Sequence, residues 1–261
     1  MSHLNAVTLL DNLRRQADLL KVEGKLPAVA LDLDGKLFNN GPRTLQIISE
    51  FLSRKCRGYG RLFVEVRKEL AQRQVPYSPQ DCLELFLSEC RTRKPLFGLE
   101  DRHRATFINY WKSVFFTHEY QRYDLVEPGA KEFAHVLLDA GIMVIYLTGR
   151  DAPNMRHGAV DALFMNGFPV LVPNTQIVLK PDFSMSDVAF KSAALTAFDK
   201  AQVEVLAMVD NEPGIVNAAI GCGVSGVHFV RPHAPNSPPL SYKARVLDSF
   251  VINIGDEPQI Q

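Results

Sequence analysis

AVALDLDGK, residues 28–36, is an apolar run that ends in two aspartates, a glycine and a lysine. A nearly continuous apolar run of this kind is typical of a parallel strand that is covered on both faces. Asp32 and Asp34 are two positions apart, so a strand that continues to Asp34 would place both side chains on one face. The stretch therefore predicts a buried strand with two carboxylates at its carboxyl end.

The rest of the chain alternates strand-like and helical patterns around this strand. Further apolar runs occupy 142–148, 176–180 and 203–210, and helical patterns occupy 4–22, 129–140 and 187–200. This alternation predicts an α/β fold with a doubly wound, Rossmann-like parallel sheet.

Residues 44–119 interrupt the alternation, because they contain amphipathic helical patterns and no strand-like run. This segment is too long to be a simple connection between strands. We therefore expect residues 1–43 to form an N-terminal helix and the first part of the core, and 44–119 to form an inserted all-helical domain. Residues 120–261 would then form the remainder of the core and a C-terminal extension.

The composition excludes several classes of protein. The 29 basic and 29 acidic side chains cancel, so no overall field attracts the chain to nucleic acid or to an anionic membrane. No apolar run approaches the length of a membrane span. The four cysteines form no CxxC pair, which argues against a zinc site and a disulfide scaffold. These features predict a cytoplasmic protein with neither nucleic-acid nor membrane partners.

A third aspartate, Asp210, ends the apolar run 203–210. Ligands of open parallel sheets bind outside the carboxyl ends of the strands, so Asp32, Asp34 and Asp210 are expected to share one crevice. Three carboxylates there would repel one another unless a cation neutralised them. Oxygen ligands suit a hard divalent ion, so the pattern predicts a Mg²⁺ site.

The run IMVIYLTGR, residues 142–150, adds Thr148 and Gly149 at another strand end. A hydroxyl group and backbone N–H groups at a turn from strand to helix are suited to phosphoryl oxygens. Lys180 or Lys191 would supply positive charge, since lysine binds phosphate as a point charge. Together with the carboxylates and Mg²⁺, these residues predict phosphoryl transfer.

The ordered motifs resemble those of a known family. DLDG at 32–35, LTGR at 147–150, a downstream lysine and VDNEPGIVNAA at 209–219 are similar to the four motifs of the haloacid-dehalogenase superfamily of phosphatases and phosphotransferases. The helical insertion falls where this superfamily often carries a cap domain. The resemblance implies a Mg²⁺-dependent phosphatase, acting on small-molecule phosphomonoesters, with a helical cap inserted after its first strand.

The resemblance also implies roles for individual residues. Asp32 would be the nucleophile that forms an aspartyl-phosphate, and Asp34 the general acid and base. Thr148, Gly149 and the active lysine would bind the transferring phosphoryl group. The metal would be held by the Asp32 side chain, the Asp34 backbone carbonyl and Asp210, and Asn211 or Glu212 would support these ligands from behind.

The active lysine has two candidates. Lys180 lies in a KPD sequence that resembles one form of the third motif, whereas Lys191 lies near the start of the helix that leads to the Asp210 strand. Lys191 is the preferred candidate, and the other lysine is expected to be solvated on the surface.

Lys36 departs from the family pattern, in which threonine or valine usually follows the glycine of the first motif. The lysine side chain has three possible destinations: solvent, a substrate anion or the phosphate itself. The alternatives to the hydrolase are accordingly a catalytically weak binding or regulatory protein and a phosphotransferase of the same fold. The sequence identifies neither the phosphate ester nor the oligomeric state.

Overall fold

The computed structural model describes residues 2–96 and 101–252. The chain divides into two compact units, which are described separately. The first comprises the residues up to 38, residues 126–156 and the residues from 163 onward. The second comprises residues 39–125 and 157–162, and it includes the whole of the predicted insertion, 44–119.

The first unit is built on a parallel sheet of seven strands within the described residues. The strands are β1 (Ser2–Leu4), β2 (Leu26–Leu31), β5 (Met143–Asp151), β6 (Thr175–Lys180), β7 (Val203–Asp210), β8 (Ser225–Phe229) and β9 (Arg245–Leu247). Their order across the sheet is β1-β9-β8-β7-β2-β5-β6, and every neighbouring pair is parallel. β2, the strand predicted from residues 28–36, therefore lies inside the sheet between β5 and β7.

Helices of this unit connect the strands. They are α1 (Ala6–Val22), α6 (Ala130–Asp139), α7 (Ala152–Met165), α8 (Asp187–Lys200) and α9 (Pro213–Gly221), with residues 157–162 of α7 assigned to the second unit. Local sequence fixes several of their starts. Asn5, Asp151 and Ser186 each accept a hydrogen bond from the backbone N–H three residues later, as N-cap side chains do.

The predicted fold class, a doubly wound α/β sheet with a helical insertion, is confirmed. The sequence patterns missed β1, β8 and β9, which have three, five and three residues. Strands this short contain too few alternations to be recognised by period. Because β1 precedes β2, the helical insertion follows the second strand of the chain and not the first.

The second unit is helical, and the short strands β3 (Phe38–Asn39) and β4 (Leu125–Val126), which pair with each other, span its two boundaries in the sequence. Its helices include α2 (Gly41–Lys55), α3 (Gly60–Leu70), α4 (Pro79–Arg91) and α5 (Asp101–Phe115). The apolar faces of these helices form one core around the fully buried rings of Phe63, Phe86 and Phe107. Amphipathic spacing thus explains this unit, as the sequence predicted.

A buried ion pair also holds the helical unit together. The Arg43 guanidinium, which is fully buried, donates from Nε to Asp124 Oδ1 at 2.8 Å. It also lies over the Phe115 ring, 4.5 Å from the centroid. The charge of Arg43 is therefore compensated inside this unit by a partner 81 residues away in sequence.

No helix in the described part of the chain is both long enough and apolar enough to cross a membrane.

Candidate active site

The carboxyl ends of β2, β5 and β7 bring the predicted site residues to one edge of the sheet. Leu31, the last residue of β2, is in register with Tyr146 of β5 and Val209 of β7. The Asp32 N–H then donates to the Val209 carbonyl at 3.2 Å. Asp32 and Asp210 therefore follow adjacent strands at the same level, and Thr148 lies one residue farther along the neighbouring strand β5.

A left-handed glycine turns the chain back just after Asp34. Gly35 has a φ of +78°, a conformation that glycine adopts without steric cost. Its N–H donates to the Phe38 carbonyl at 2.7 Å, and the Phe38 N–H donates to the Leu33 carbonyl at 2.9 Å. This tight turn directs the side chain of the next residue, Lys36, back toward Asp32.

Lys36 is the central cation of the site. Its side chain is almost completely buried, and its ammonium group forms an ion pair with Asp32 Oδ2. The same Nζ lies 3.2 Å from Asp210 Oδ1 and 2.6 Å from Asn211 Oδ1. Lys36 therefore reaches neither solvent nor an open phosphate site, and its three N–H donors face three oxygens of the protein.

Lys191 is the second ammonium group between the same carboxylates. Its Nζ lies 3.0 Å from Asp32 Oδ1 and 2.8 Å from Asp210 Oδ2. Lys180 instead forms an ion pair with Asp187 at 2.7 Å. The geometry thus places Lys191 beside Asp32. The expectation that the other lysine is solvated is wrong, since Lys180 is 6% exposed.

The close packing of these charges shifts their pKa values. Burial raises the pKa of the Asp32 carboxyl, and the nearby ammonium groups of Lys191 and Lys36 oppose this without reversing it. Burial also tends to raise the pKa of the Asp210 carboxyl, but the ammonium groups of Lys191 and Lys36 lower it by more, so the net shift is downward.

The lysines respond in the opposite sense. Burial lowers the pKa of the Lys36 and Lys191 ammonium groups, but the carboxylates of Asp210 and Asp32 raise it further than burial lowers it. Both lysines therefore stay charged at neutral pH. The buried cluster holds two carboxylates and two ammonium groups.

Asp34 has a cationic partner of its own. Arg150 donates from Nη2 to Asp34 Oδ1 at 2.5 Å and from Nε to both carboxylate oxygens at 3.1 Å. The Arg150 guanidinium is buried, whereas the Asp34 side chain is 36% exposed. Arg150 thus fixes the orientation of the predicted acid and base at the outer side of the cluster.

Thr148 and Gly149 lie beside this cluster on β5. The Thr148 hydroxyl oxygen, which is buried, accepts the Arg150 N–H at 3.2 Å, so its hydrogen remains for another acceptor. At Gly149 a Cβ would lie 2.7 Å from Asp187 Oδ2. A carboxylate therefore packs against the position where the sequence predicted phosphate binding by Gly149.

Asn211 and Glu212 follow the Asp210 strand and act differently from one another. Asn211 accepts from Lys36 and donates from Nδ2 to the Pro232 carbonyl. The Glu212 carboxylate accepts from the Ala234 N–H at 3.0 Å and from the Ser237 hydroxyl at 2.8 Å. Only the backbone N–H of Glu212 reaches Asp210, at 2.9 Å. The Glu212 side chain therefore secures the segment after β8.

A Mg²⁺ ion would need the oxygens at the centre of this cluster. Oxygens of the kind that Mg²⁺ prefers converge from Asp32, Asp210 and Asn211, but they converge on the Lys36 ammonium group. In residues 2–96 and 101–252, no group of three or more Asp, Glu, His or Cys side chains is arranged to hold a metal ion. With Lys36 in this position the residues do not fit a divalent ion, and Mg²⁺ dependence stays a prediction from the resemblance.

Two contributors to the site were not identified from the sequence. They are Arg150, which the sequence shows only as the last residue of LTGR, and Asp187. The arginine had a usable signal, because a buried arginine after a strand end requires an anionic partner. No sequence signal pointed to Asp187, because an aspartate at the start of a helix is explained by its favourable interaction with the helix dipole.

The turn at Gly35 gives a prediction on stability. Gly35→Ala should lower the free energy of unfolding by about 1–2 kcal/mol, because a side chain disfavours the left-handed conformation. Its Cβ would also lie 3.1 Å from Asn211 Nδ2. Urea denaturation measures the change. Gly221→Ala is the matched control, since that position has open space and no positive φ. Equal stability of the two variants would contradict the strained-turn explanation.

Comparisons with known proteins address the fold. No protein-family model matches the chain, and no curated protein matches it significantly. Among solved structures, a Geobacter sulfurreducens PCA protein described as a HAD-superfamily hydrolase of subfamily IA, variant 1, is 14% identical. The match covers 86% of this chain and 93% of that one, with a TM-score of 0.50.

A Clostridium difficile protein provisionally assigned as a phosphatase is 12% identical. The match covers 86% of this chain and 95% of that one, also with a TM-score of 0.50. At these identities the likeness concerns the backbone and its topology. The chain therefore has the α/β fold of the haloacid-dehalogenase superfamily.

Proposed function

We propose that this chain hydrolyses small-molecule phosphomonoesters through an aspartyl-phosphate on Asp32. The observation that carries the proposal is the position of Asp32 at the end of β2, buried between Lys36 and Lys191 and one strand away from Thr148. The shared fold and the order of the motifs support the same activity. The balanced charge of the chain favours a small ester over a polyanion.

In this proposal the reaction has two steps. An Asp32 carboxylate oxygen attacks phosphorus while the ester P–O bond breaks, and protonated Asp34 gives its proton to the leaving oxygen. Water then attacks the phosphorus of the aspartyl-phosphate and gives a proton to Asp34. The bond between phosphorus and Asp32 breaks, which releases phosphate and restores both carboxyl groups.

The surrounding residues stabilise charge and position the two aspartates. Lys191, within reach of Asp32, would offset the negative charge that builds up on the phosphoryl oxygens. The Thr148 hydroxyl can donate to one of those oxygens. Arg150 keeps Asp34 oriented, and Asp34 must be protonated before the first step.

The direct test is phosphate release from a panel of phosphorylated sugars, nucleotides and amino acids, together with p-nitrophenyl phosphate. Each ester is assayed both with Mg²⁺ and with EDTA. We expect turnover of at least one small ester and none of a phosphoprotein. Turnover restricted to phosphoproteins or to oligonucleotide phosphates would contradict the substrate class.

A second candidate function is binding of a phosphate ester without turnover. It is favoured by the pairing of Asp34, the predicted acid and base, with Arg150, which donates from Nη2 to Oδ1 and from Nε to Oδ2. Saturable binding of a small ester, measured by calorimetry, together with no phosphate release at high protein concentration, would support this alternative over the hydrolase.

The two lysines make different predictions. Lys191→Ala should lower kcat by on the order of 10²- to 10³-fold, by analogy with loss of one donor to a developing oxyanion. Lys180→Ala should change kcat much less, because the Lys180 ammonium group is paired with Asp187. Steady-state kinetics on the same ester compare the variants. The reverse order of effects would show that Lys180 is the active lysine.

A further inference from the structure

The Lys36 ammonium group fills the point where the oxygens of the site converge. It contacts Asp32 Oδ2, Asp210 Oδ1 and Asn211 Oδ1, and the Lys36 side chain is 2% exposed. An ammonium group has three N–H donors and no acceptor, so these three oxygens satisfy it completely. Lys36 therefore occupies the position that a cation bound by these side chains would take.

The geometry around Lys36 suits an ammonium group and not Mg²⁺. Its separations of 3.2 Å from Asp210 and 2.6 Å from Asn211 are those of N–H···O hydrogen bonds. Magnesium requires oxygens at about 2.0–2.1 Å in a nearly octahedral arrangement. The ion could enter only if the buried Lys36 side chain left, and the turn at Gly35 directs that side chain inward.

The charges of the site are already balanced by the chain itself. The acidic side chains Asp32, Asp34 and Asp210 are each paired with at least one cationic side chain. Those cationic partners are Lys36, Lys191 and Arg150. A divalent ion would add two positive charges to this balanced group, and it would have to displace one of the existing pairs.

We propose that Lys36 is a built-in cation that takes the place of a divalent metal ion, so that the site binds its phosphate ester without metal. This inference rests on the proposed phosphate-ester function. Lys36 neutralises Asp32 and Asp210 from within, and the approaching dianion then meets Lys191 and Thr148. The same side chain excludes Mg²⁺ and Mn²⁺ from the carboxylates.

The first experiment measures metal binding without any substrate. Mn²⁺ is titrated into the full chain and into Lys36→Ala, with free Mn²⁺ followed by electron paramagnetic resonance. We expect no binding by the wild-type protein at millimolar Mn²⁺ and stoichiometric binding by Lys36→Ala, whose vacated space leaves three oxygens facing one point. The control is Lys25→Ala, which removes an exposed lysine that pairs with Glu23 and Glu204.

Thermal unfolding is a second measurement of metal binding by the wild-type protein and by Lys36→Ala. Mg²⁺ should raise the Tm of Lys36→Ala and leave the Tm of the wild-type protein unchanged, since a ligand that binds the folded state stabilises it. If Lys36→Ala does not fold even with Mg²⁺, the Mn²⁺ titration of the wild-type protein still tests whether the native site excludes the metal. Mn²⁺ binding by the wild-type protein that Asp210→Asn weakens would overturn the proposal.

The second experiment follows binding of inorganic phosphate. The wild-type protein should bind phosphate equally with EDTA and with Mg²⁺, whereas Lys36→Ala should need Mg²⁺. Lys36→Met keeps the length of the side chain without its charge, so it should bind phosphate poorly in both conditions. Phosphate binding by the wild-type protein that EDTA abolishes and Mg²⁺ restores would overturn the role of Lys36.

The two proposals fail in different ways. Hydrolysis that requires Mg²⁺ would overturn the built-in cation and leave the phosphatase standing. Metal-free phosphate binding with no turnover of any ester would overturn the hydrolase and leave the role of Lys36 standing. Turnover that continues in EDTA supports both.

Discussion

Asp32→Asn is expected to reduce phosphate release by on the order of 10⁴- to 10⁶-fold, the range seen when a covalent nucleophile is removed from other hydrolases. Asparagine has nearly the size of aspartate and can still accept a hydrogen bond from Lys36, but its amide is a poor nucleophile. Asp32 pairs with Lys36 and Lys191, so the variant should also lose stability, and its activity is measured where circular dichroism shows it to be folded. In the folded variant the loss should appear in kcat.

Two measurements make this test specific. Borohydride reduces an aspartyl-phosphate, so mass spectrometry should find a reduced residue at position 32 in the turning-over wild-type protein and none in Asp32→Asn. Asp11→Asn, which changes an exposed aspartate on α1, serves as the control and should keep full activity. Substantial turnover by Asp32→Asn would place the nucleophile elsewhere.

Asp210→Asn is expected to lower the free energy of unfolding by about 3–5 kcal/mol, because it removes one partner of buried ion pairs. Asp210 is fully buried and accepts from Lys36, Lys191 and the Glu212 N–H. Without its charge, two buried ammonium groups share the single carboxylate of Asp32. Urea denaturation at neutral pH measures the loss.

The matched control is Asp187→Asn, which also breaks an ion pair between lysine and aspartate in the same unit. Lys180 is buried but the Asp187 side chain is 49% exposed, so water screens this pair and the loss should be smaller than that at Asp210. Equal losses for the two variants would show that the buried cluster contributes no more than a half-exposed pair.

The loss at Asp210 should also depend on pH. The folded state lowers the pKa of this carboxyl, so its stabilising effect is complete above its unfolded pKa of about 3.9. The effect disappears as the pH falls through the lower, folded pKa. The stability difference between wild type and Asp210→Asn should therefore be constant near neutral pH and shrink below about pH 4. A difference that grows on acidification would contradict this assignment.

The sequence by itself determined the architecture and the identity of the acidic residues. Apolar runs at β2, β5, β6 and β7 with helical patterns between them were long enough to give the α/β class. Asp32 and Asp210 were found because the carboxyl ends of parallel strands meet at one edge of a sheet. These features depend on local periodicity and on a general rule of topology, both of which can be read along a single chain.

Only the tertiary structure decided what neutralises those carboxylates. The sequence placed Lys36 next to the first motif and left its direction open, because the backbone turn and not the residue type sets where the side chain goes. The left-handed Gly35 directs it inward, to oxygens 174 and 175 residues away in sequence. Lys191 reaches the other carboxylate oxygen of Asp210 from α8, whereas Lys180 pairs with Asp187. Such long-range pairings are fixed by how the strands are ordered in the sheet, and no local pattern records them.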